Sequence, residues 1–422
     1  MKNIKMLKLF NLMSLFIFSI AITNAQGLKF TPQEQLNEFT QIENNTYGFS
    51  EDIPSNYSLE KYVPQVLEQS GGTCVGFSSL YYALSTMYNF EFNITDPKGK
   101  FAHSFDPYFI YSIVNNEVDH CDDGLFMYEA TELLYKIGAK KLFFPPYLTC
   151  ESNWDQTTLK ETVEYTSPYS LKEFYVVDME NPDLIDFVKK IIYYDIPVVA
   201  GFSITESLYP RSSSYPNGVS NSGLWTPSEL EDSIGGHAMC IVGYNDQMYG
   251  GSFRVVNSWG DDYGDNGFIW IRYKDFKKYA SEAYVFELND NIKEDSRSQN
   301  IQMQDNQYTR FRGDWGSYEG QELQNKLTGF AIQTTRNNTY YMGYFEDGES
   351  EGFTIFIDDD GIFTANAVDD KLYDISELGF AADSEIEETE IDFKNYIKNL
   401  NPELQIRKTP TTKLNDKEKI EL

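Results

Sequence analysis

Three separated stretches carry the residue types that nucleophilic chemistry needs. In GGTCVGFSSLYYALSTMYN, Cys74 follows Gly71, Gly72 and Thr73 and opens a run whose apolar positions, Val75, Phe77, Leu80, Ala83, Leu84 and Met87, recur at helical spacing. The spacing predicts a helix that begins at the cysteine, where unpaired N–H groups and the helix dipole favour a thiolate. A buried structural thiol is the competing reading for any single cysteine. In GGHAMCIVGYN, His237 stands on an apolar run behind Gly235 and Gly236, either as a working base or as a satisfied core histidine. In RVVNSWG, Asn257 follows a strand pattern and Trp259 stands two positions later. A buried Asn can accept the ring N–H of His237 and fix its tautomer, leaving the other ring nitrogen for a thiol. Trp259 can shield that bond from water, or simply pack.

The elements that must position these residues change character along the chain. Helical patterns dominate the first half of a body running from about residue 53 to 288: the stretch after Cys74, FDPYFIYSIVNN and GLFMYEATELLYKIGA. The second half reads as short strands bounded by Gly, Asn and Asp: DIPVVAGFSI, GHAMCIVGYN, SFRVVNSWG and GFIWIRY. Helices first and strands after imply an α+β body with two unlike halves. Residues 26–52 read as a polar, extended lead-in, and the unpatterned, charged residues 289–307 as a linker.

Residues 308–383 are rich in Gly, Tyr and Phe and repeat themselves. YEGQELQNKLTGF from Tyr318 and YMGYFEDGESEGF from Tyr341 share an aromatic, a Gly two places on (Gly320, Gly343) and a Gly-Phe pair further along (Gly329, Phe330; Gly352, Phe353). A degenerate third copy starts at Phe363, and YTRFRGDW reads as an opening strand. Periods of this length mark stacked supersecondary units, here β-hairpins with glycines at the turns. The acidic tail, residues 384–422, reads as a short helix and a mobile end.

The chain opens with Lys2, Lys5 and Lys8, an apolar run from Leu9 to Ile22 and the small-residue site Thr23-Asn24-Ala25, the order of a secretory signal peptide cut after Ala25. No later segment is long and apolar enough to span a bilayer, so a soluble, exported chain is expected. The formal charge of −31 repels phosphate backbones and excludes nucleic acid as a natural partner. Four cysteines without a close pair and only three histidines leave no zinc pattern, so neither a metal nor a cofactor is expected. His103 and His120, in polar segments, read as surface residues; Cys240, on the apolar strand of His237, reads as a buried thiol.

Taken together, GTC opening a helix, GGHAM on a strand and NSWG after the next resemble the papain family of cysteine peptidases, over residues 53–288. The resemblance implies a two-lobed catalytic domain, helical lobe plus β-rich lobe, followed here by a small β-hairpin repeat domain that resembles MORN-type repeats. It implies Cys74 as nucleophile, His237 as base and then acid, Asn257 as orienter and Trp259 as shield. Gln69 resembles the glutamine that completes the oxyanion hole with the Cys74 N–H. It stands five residues before the cysteine instead of the family's six, and Val75 and Gly76 replace the usual Trp and Ala. CDDGLFMYEA resembles the family's glycine loop that pairs with an extended substrate, which makes Asp123 and Gly124, with Gly236 opposite, substrate-binding residues. An acid at Asp123 would tolerate basic side chains, or be merely solvated. The resemblance also implies a Cys121–Cys150 disulfide, free thiols being the alternative.

The implied function is an exported peptidase that hydrolyses peptide bonds of peptide or protein substrates through a thioester on Cys74. It would be secreted or periplasmic in a bacterium, and lysosomal or secretory in a eukaryote. The alternative is a catalytically silent papain-fold scaffold that engages a protein or surface partner through its C-terminal repeats. The family's usual long inhibitory propeptide does not fit between Ala25 and Ile53, which leaves restraint to location, to the C-terminal region or to nothing.

Overall fold

The computed structural model describes residues 27–42, 48, 52–114, 121–122, 124–144, 148, 166–289, 307–313, 316–323, 326–368, 371–380 and 404–407. The leader, His120, Asp123, Cys150 and most of the linker and tail lie outside these residues.

A helix over residues 74–91 forms the centre of the body. It begins as Cys74–Gly76, widens to i→i+5 winding over Phe77–Leu84 and ends as Ser85–Glu91. Its sides are apolar nearly all round, so it is buried nearly all round: every residue from Cys74 to Asn89 is buried. Hydroxyls that such a site strands are absorbed locally, Ser78 and Ser79 donating to the Val75 carbonyl and Ser85 to that of Leu80. Helices Pro97–Ala102, Phe109–Val114 and Met127–Ile137 pack with it.

Among the described residues nine strands belong to the body: β1 (Leu28–Lys29), β2 (Asn56–Ser58), β3 (Leu125–Phe126), β4 (Leu171–Val176), β5 (Val198–Ile204), β6 (Gly235–Asn245), β7 (Ser252–Val256), β8 (Phe268–Arg272) and β9 (Ala280–Leu288). Strands β4-β9-β5-β6-β7-β8 form one antiparallel sheet in that order, with β2 added to β6. Alternation on β6 explains its unbroken apolar run. Ala238, Cys240 and Val242 join the core of the central helix, while Met239 and Ile241 join a second core under helix Leu184–Tyr193. The body is therefore α+β with a helical half and a sheet half.

The C-terminal region is an eight-stranded antiparallel meander in sequence order: β10 (Gln307–Gly313), β11 (Gly316–Leu323), β12 (Lys326–Thr335), β13 (Tyr340–Glu346), β14 (Glu349–Ile357), β15 (Ile362–Val368), β16 (Lys371–Phe380) and β17 (Leu404–Arg407). Two expectations are corrected. The repeat glycines lie within strands, not at turns: the register shifts at Gly320 and Gly343, where an added Cβ would meet Ala331 and the Phe353 carbonyl. The tail contributes an edge strand, β17, where a helix or mobile end was read.

This sheet is not a tethered module. Ile332, Tyr340, Met342, Ile355 and Ile357 join the core of the helical half, and the Tyr340 hydroxyl donates to Asp96, the N-cap of helix Pro97–Ala102, at 2.9 Å. Glu319 reaches in from β11, almost fully buried. It accepts the hydroxyls of Tyr169, at 2.6 Å, and Tyr88, with His103 Nδ1 at 3.1 Å and Lys141 Nζ at 3.6 Å. His103, read as a surface residue, is only 3% exposed because this sheet covers it. Lys141 also lies over the Tyr88 ring and donates to the His103 carbonyl, so its charge is shared between a carboxylate, a carbonyl and aromatic faces.

Removing one partner of a buried ion pair leaves an uncompensated charge. Glu319→Ala is expected to destabilise the protein by about 3 kcal/mol or more. Glu319→Gln should do less, since it keeps an acceptor for the tyrosines. Urea unfolding followed at once by fluorescence and circular dichroism checks this, with the body and the C-terminal sheet melting in one transition.

Candidate active site

Cys74 is the first residue of the central helix, and the turn ahead of it passes through Gly71 at φ +56°, a conformation that side chains resist. The Gly72 N–H donates to the Cys121 carbonyl at 2.6 Å, and the Tyr111 hydroxyl to the Gly72 carbonyl at 2.8 Å, which fixes the turn. The thiol points at β6 and accepts the Ala238 N–H at 3.4 Å. His237, the residue before Ala238, is fully buried, and its Nε2 lies 2.7 Å from Asn257 Oδ1. The Ser258 N–H donates to the same Asn257 atom at 2.8 Å, which identifies it as the oxygen. His237 therefore carries its proton on Nε2, and Nδ1 is the nitrogen available as a base.

The loop holding Asn257 is stitched to the segment before the cysteine. The Gln69 N–H donates to the Ser258 carbonyl at 2.7 Å, and the Ser258 hydroxyl to Gln69 Oε1. Gln69 Nε2 donates to the Gly71 carbonyl at 2.8 Å, which occupies one of its two hydrogens and leaves one for another acceptor. Trp259 lies against His237, ring centroids 4.9 Å apart, and is backed by Tyr209 and Tyr263. Sequence reasoning had no signal for Ser258 or Tyr111, common residues whose roles depend on distant backbone.

Cys74 and Cys240 are free and buried, and Cys121 is disulfide-bonded. Cys150, the expected partner of Cys121, and the substrate-loop residue Asp123 lie outside the described residues. Among the described residues no cluster of His, Cys, Asp and Glu is arranged to hold a metal. Nor is any helix among them long and apolar enough to cross a membrane.

One segment was misread from sequence. The lead-in is not an approach to the body: residues 27–31 lie in the cleft itself. The Gly27 carbonyl accepts the Leu125 N–H at 2.8 Å, β1 pairs in parallel with β3, and the Gly27 backbone lowers the Cys74 thiol pKa against the effect of burial. The approach is so close that a Cβ on Gly124 would stand 2.1 Å from the Gly27 carbonyl oxygen, and one on Gly236 2.5 Å from that of Leu28. Polar composition without periodicity looks the same whether a segment is solvated or seated in a groove, and this is why it was missed.

These contacts belong to a recognisable class. Residues 82–287 match the family model of papain family cysteine proteases, a span that includes His237 and Asn257 and begins after Cys74. This stretch is similar to the papain family of cysteine proteases, and the α+β body has a papain-like fold. The chain is 27% identical over 160 residues to an uncharacterized peptidase C1-like protein of Acanthamoeba polyphaga mimivirus, covering 38% of this chain and 43% of that one. It is 28% identical over 126 residues to cathepsin B-like cysteine proteinase 3 of Caenorhabditis elegans, covering 29% of each. It thus spans less than half the length of either relative. Among solved structures it is similar to xylellain, a cysteine protease from Xylella fastidiosa, with 21% identity, a TM-score of 0.47 and coverage of 62% of this chain and 96% of that one. A procathepsin B from Trypanosoma congolense gives 16%, 0.47, 63% and 88%.

Burial pushes the Cys74 thiol up to about 11, against the pull of N–H groups from Ala238, Gly27 and Val75. A raised thiol pKa keeps the sulfur protonated and unreactive at neutral pH. Alkylation of Cys74 by iodoacetamide in the folded chain should therefore be at least about tenfold slower at pH 8 than in urea. It should also still be rising at pH 9.5, where an ordinary thiol has levelled off. Peptide mapping with isotope-coded reagent measures both.

Proposed function

We propose that the protein is an exported cysteine peptidase that hydrolyses peptide bonds by a Cys-His-Asn mechanism. The observation that carries this reading is the convergence of Cys74, at a helix N-terminus, on the strand of His237, whose Nε2 is held by Asn257. His237 Nδ1 takes the thiol proton, and the sulfur adds to the scissile carbonyl. The developing oxyanion is met by the Cys74 N–H and the remaining Gln69 amide hydrogen. His237 then protonates the departing amine, leaving a thioester on Cys74. Water, deprotonated by His237, hydrolyses the thioester and returns the proton to the sulfur, so the enzyme is regenerated. Asn257 holds the ring in the tautomer this cycle needs, and Trp259 keeps water from the His237–Asn257 bond.

Export rests on the leader read from the first 25 residues, with cleavage after Ala25. The C-terminal sheet is read as a stabilising appendage. Its ties through Glu319 and Tyr340 support this over an independent binding module, and they weaken the silent-scaffold alternative.

Cys74→Ala is expected to abolish cleavage of a denatured protein substrate while the circular dichroism spectrum is kept. Intact mass after prolonged incubation with a neutral peptidyl epoxide should gain one adduct in the wild type and none in Cys74→Ala. Failure to form an adduct in the folded chain, both with residues 27–31 seated and with them dislodged, would overturn the reading.

A further inference from the structure

The turn in front of Cys74 is made of residues with little conformational restraint of their own. Gly71 and Gly72 leave the peptides around them free to rotate, so hydrogen bonds must fix their planes. Carbonyls on either side of Gly72 are held by neighbours in the chain. The Thr73 hydroxyl donates to the Ser70 carbonyl at 2.7 Å, Gln69 Nε2 to that of Gly71 at 2.8 Å, and the Phe77 N–H to that of Thr73 at 3.2 Å. Such bonds keep the shape of the turn but travel with it. Gly72 is held from other elements, its N–H by the Cys121 carbonyl at 2.6 Å and its carbonyl by the Tyr111 hydroxyl at 2.8 Å.

Tyr111 is fully buried on helix Phe109–Val114, and its ring lies against the first turn of the central helix. A Cβ on Gly76 would stand 3.0 Å from Tyr111 Cε2 and 2.0 Å from the Pro107 carbonyl oxygen, so glycine at this position lets the ring in. Burial pushes the Tyr111 hydroxyl pKa well up, and the nearby Cys74 sulfur adds to this, against the pull of the Val75 and Gly76 backbone. The phenol therefore keeps its proton and stays a donor.

The donors that must meet at one oxygen stand at opposite ends of this turn. Gln69 is tied to Ser258 on the sheet side through its N–H and its Oε1, whereas Cys74 opens the central helix. Residues 70–73 set the spacing between the remaining Gln69 amide hydrogen and the Cys74 N–H. Because a peptide is planar and trans, a Gly72 carbonyl turned toward Tyr111 fixes the Thr73 N–H and the course of the chain into Cys74. Gly72 is buried, so without the hydroxyl its carbonyl loses a donor and the glycine peptides turn to find another. We propose that Tyr111 is a positioning residue for the oxyanion hole: its hydroxyl holds the Gly72 carbonyl so that the Cys74 N–H and the Gln69 amide converge on one oxygen. The inference rests on the peptidase reading above and adds to it a residue that acts through the turn.

Tyr111→Phe in the full chain removes the hydroxyl and keeps the ring. It is compared with wild type in hydrolysis of a peptide amide, inhibition by a peptidyl aldehyde of the same sequence, and exchange with a neutral aromatic disulfide. Aldehyde addition forms a C–S bond as the carbonyl π bond breaks, the thiol proton passing to the new oxygen, which lies where the oxyanion develops. Disulfide exchange breaks one S–S bond and forms another at Cys74, the thiol proton leaving on the released thiol, and no carbonyl oxygen takes part. Tyr111→Phe is expected to lower kcat about tenfold or more with KM within about twofold, and to raise the aldehyde inhibition constant about tenfold. Disulfide exchange at Cys74, followed by intact mass, should stay within about twofold of wild type across its pH profile.

Equal loss in all three reactions would mark a general loosening and overturn the positioning role. So would a variant indistinguishable from wild type, or hydrolysis lost with aldehyde affinity unchanged. A folded wild type that neither hydrolyses the amide nor binds the aldehyde would remove the peptidase reading and this inference with it. Should Tyr111→Phe fail to fold, a crystal structure of the wild-type aldehyde adduct decides. Its oxygen is expected within hydrogen-bond reach of both the Cys74 N–H and Gln69 Nε2, with the Tyr111–Gly72 bond kept. An oxygen held elsewhere, or a Gly72 carbonyl turned away from Tyr111, would overturn the inference.

Discussion

The burial of the helix over residues 74–91 is the constraint on which the rest of the molecule depends. Its start sets Cys74 against β6, its middle supplies the core shared with Ala238, Cys240 and Val242, and its last turns present Tyr88 to the C-terminal sheet. A helix apolar nearly all round can only be stable if every face is covered. The sheet of the body covers one face, the neighbouring helices others, and residues from β12, β13 and β14 the remainder. The C-terminal meander is thereby part of the same folding unit as the candidate active site, whatever else it does.

Charge is treated in two opposite ways in this molecule. At Glu319 and at the fully buried Asp106–Lys140 pair, 2.9 Å apart, a carboxylate lies against a cation, and removing either leaves a buried charge without its ion partner. At Glu282, among the described residues, the carboxylate accepts from two hydroxyls and an N–H, two of these donors coming from Thr31. The first kind fastens elements for good.

The close approach of residues 27 and 28 also explains the glycines on both sides of the cleft. Gly124 and Gly236 admit backbone where any side chain would collide. A trough made in this way selects for extended main chain, with discrimination left to the few side chains that reach beyond it. With residues 27–31 in this trough Cys74 and His237 are completely buried, and burial raises the thiol pKa. The helix N-terminus favours a thiolate, and burial of the site opposes it.

What could be read from sequence was what local period and local backbone geometry encode. GGTC before a helical pattern, GGHAM within a strand pattern and NSWG after the next placed Cys74, His237 and Asn257 on their elements, and the change of period divided the body into its two halves. Each is a property of neighbours within a turn or a strand. Tertiary structure alone decided that Thr31 meets Glu282 across 251 residues and that His103 is covered by a sheet more than 200 positions later. It also decided that the repeat glycines mark register shifts inside strands. Glu282 stands on β9 as an acid among buried residues, and nothing local in the sequence points to Thr31 as its partner. The other side of each contact is set by chain closure and packing, which no residue's near neighbours record.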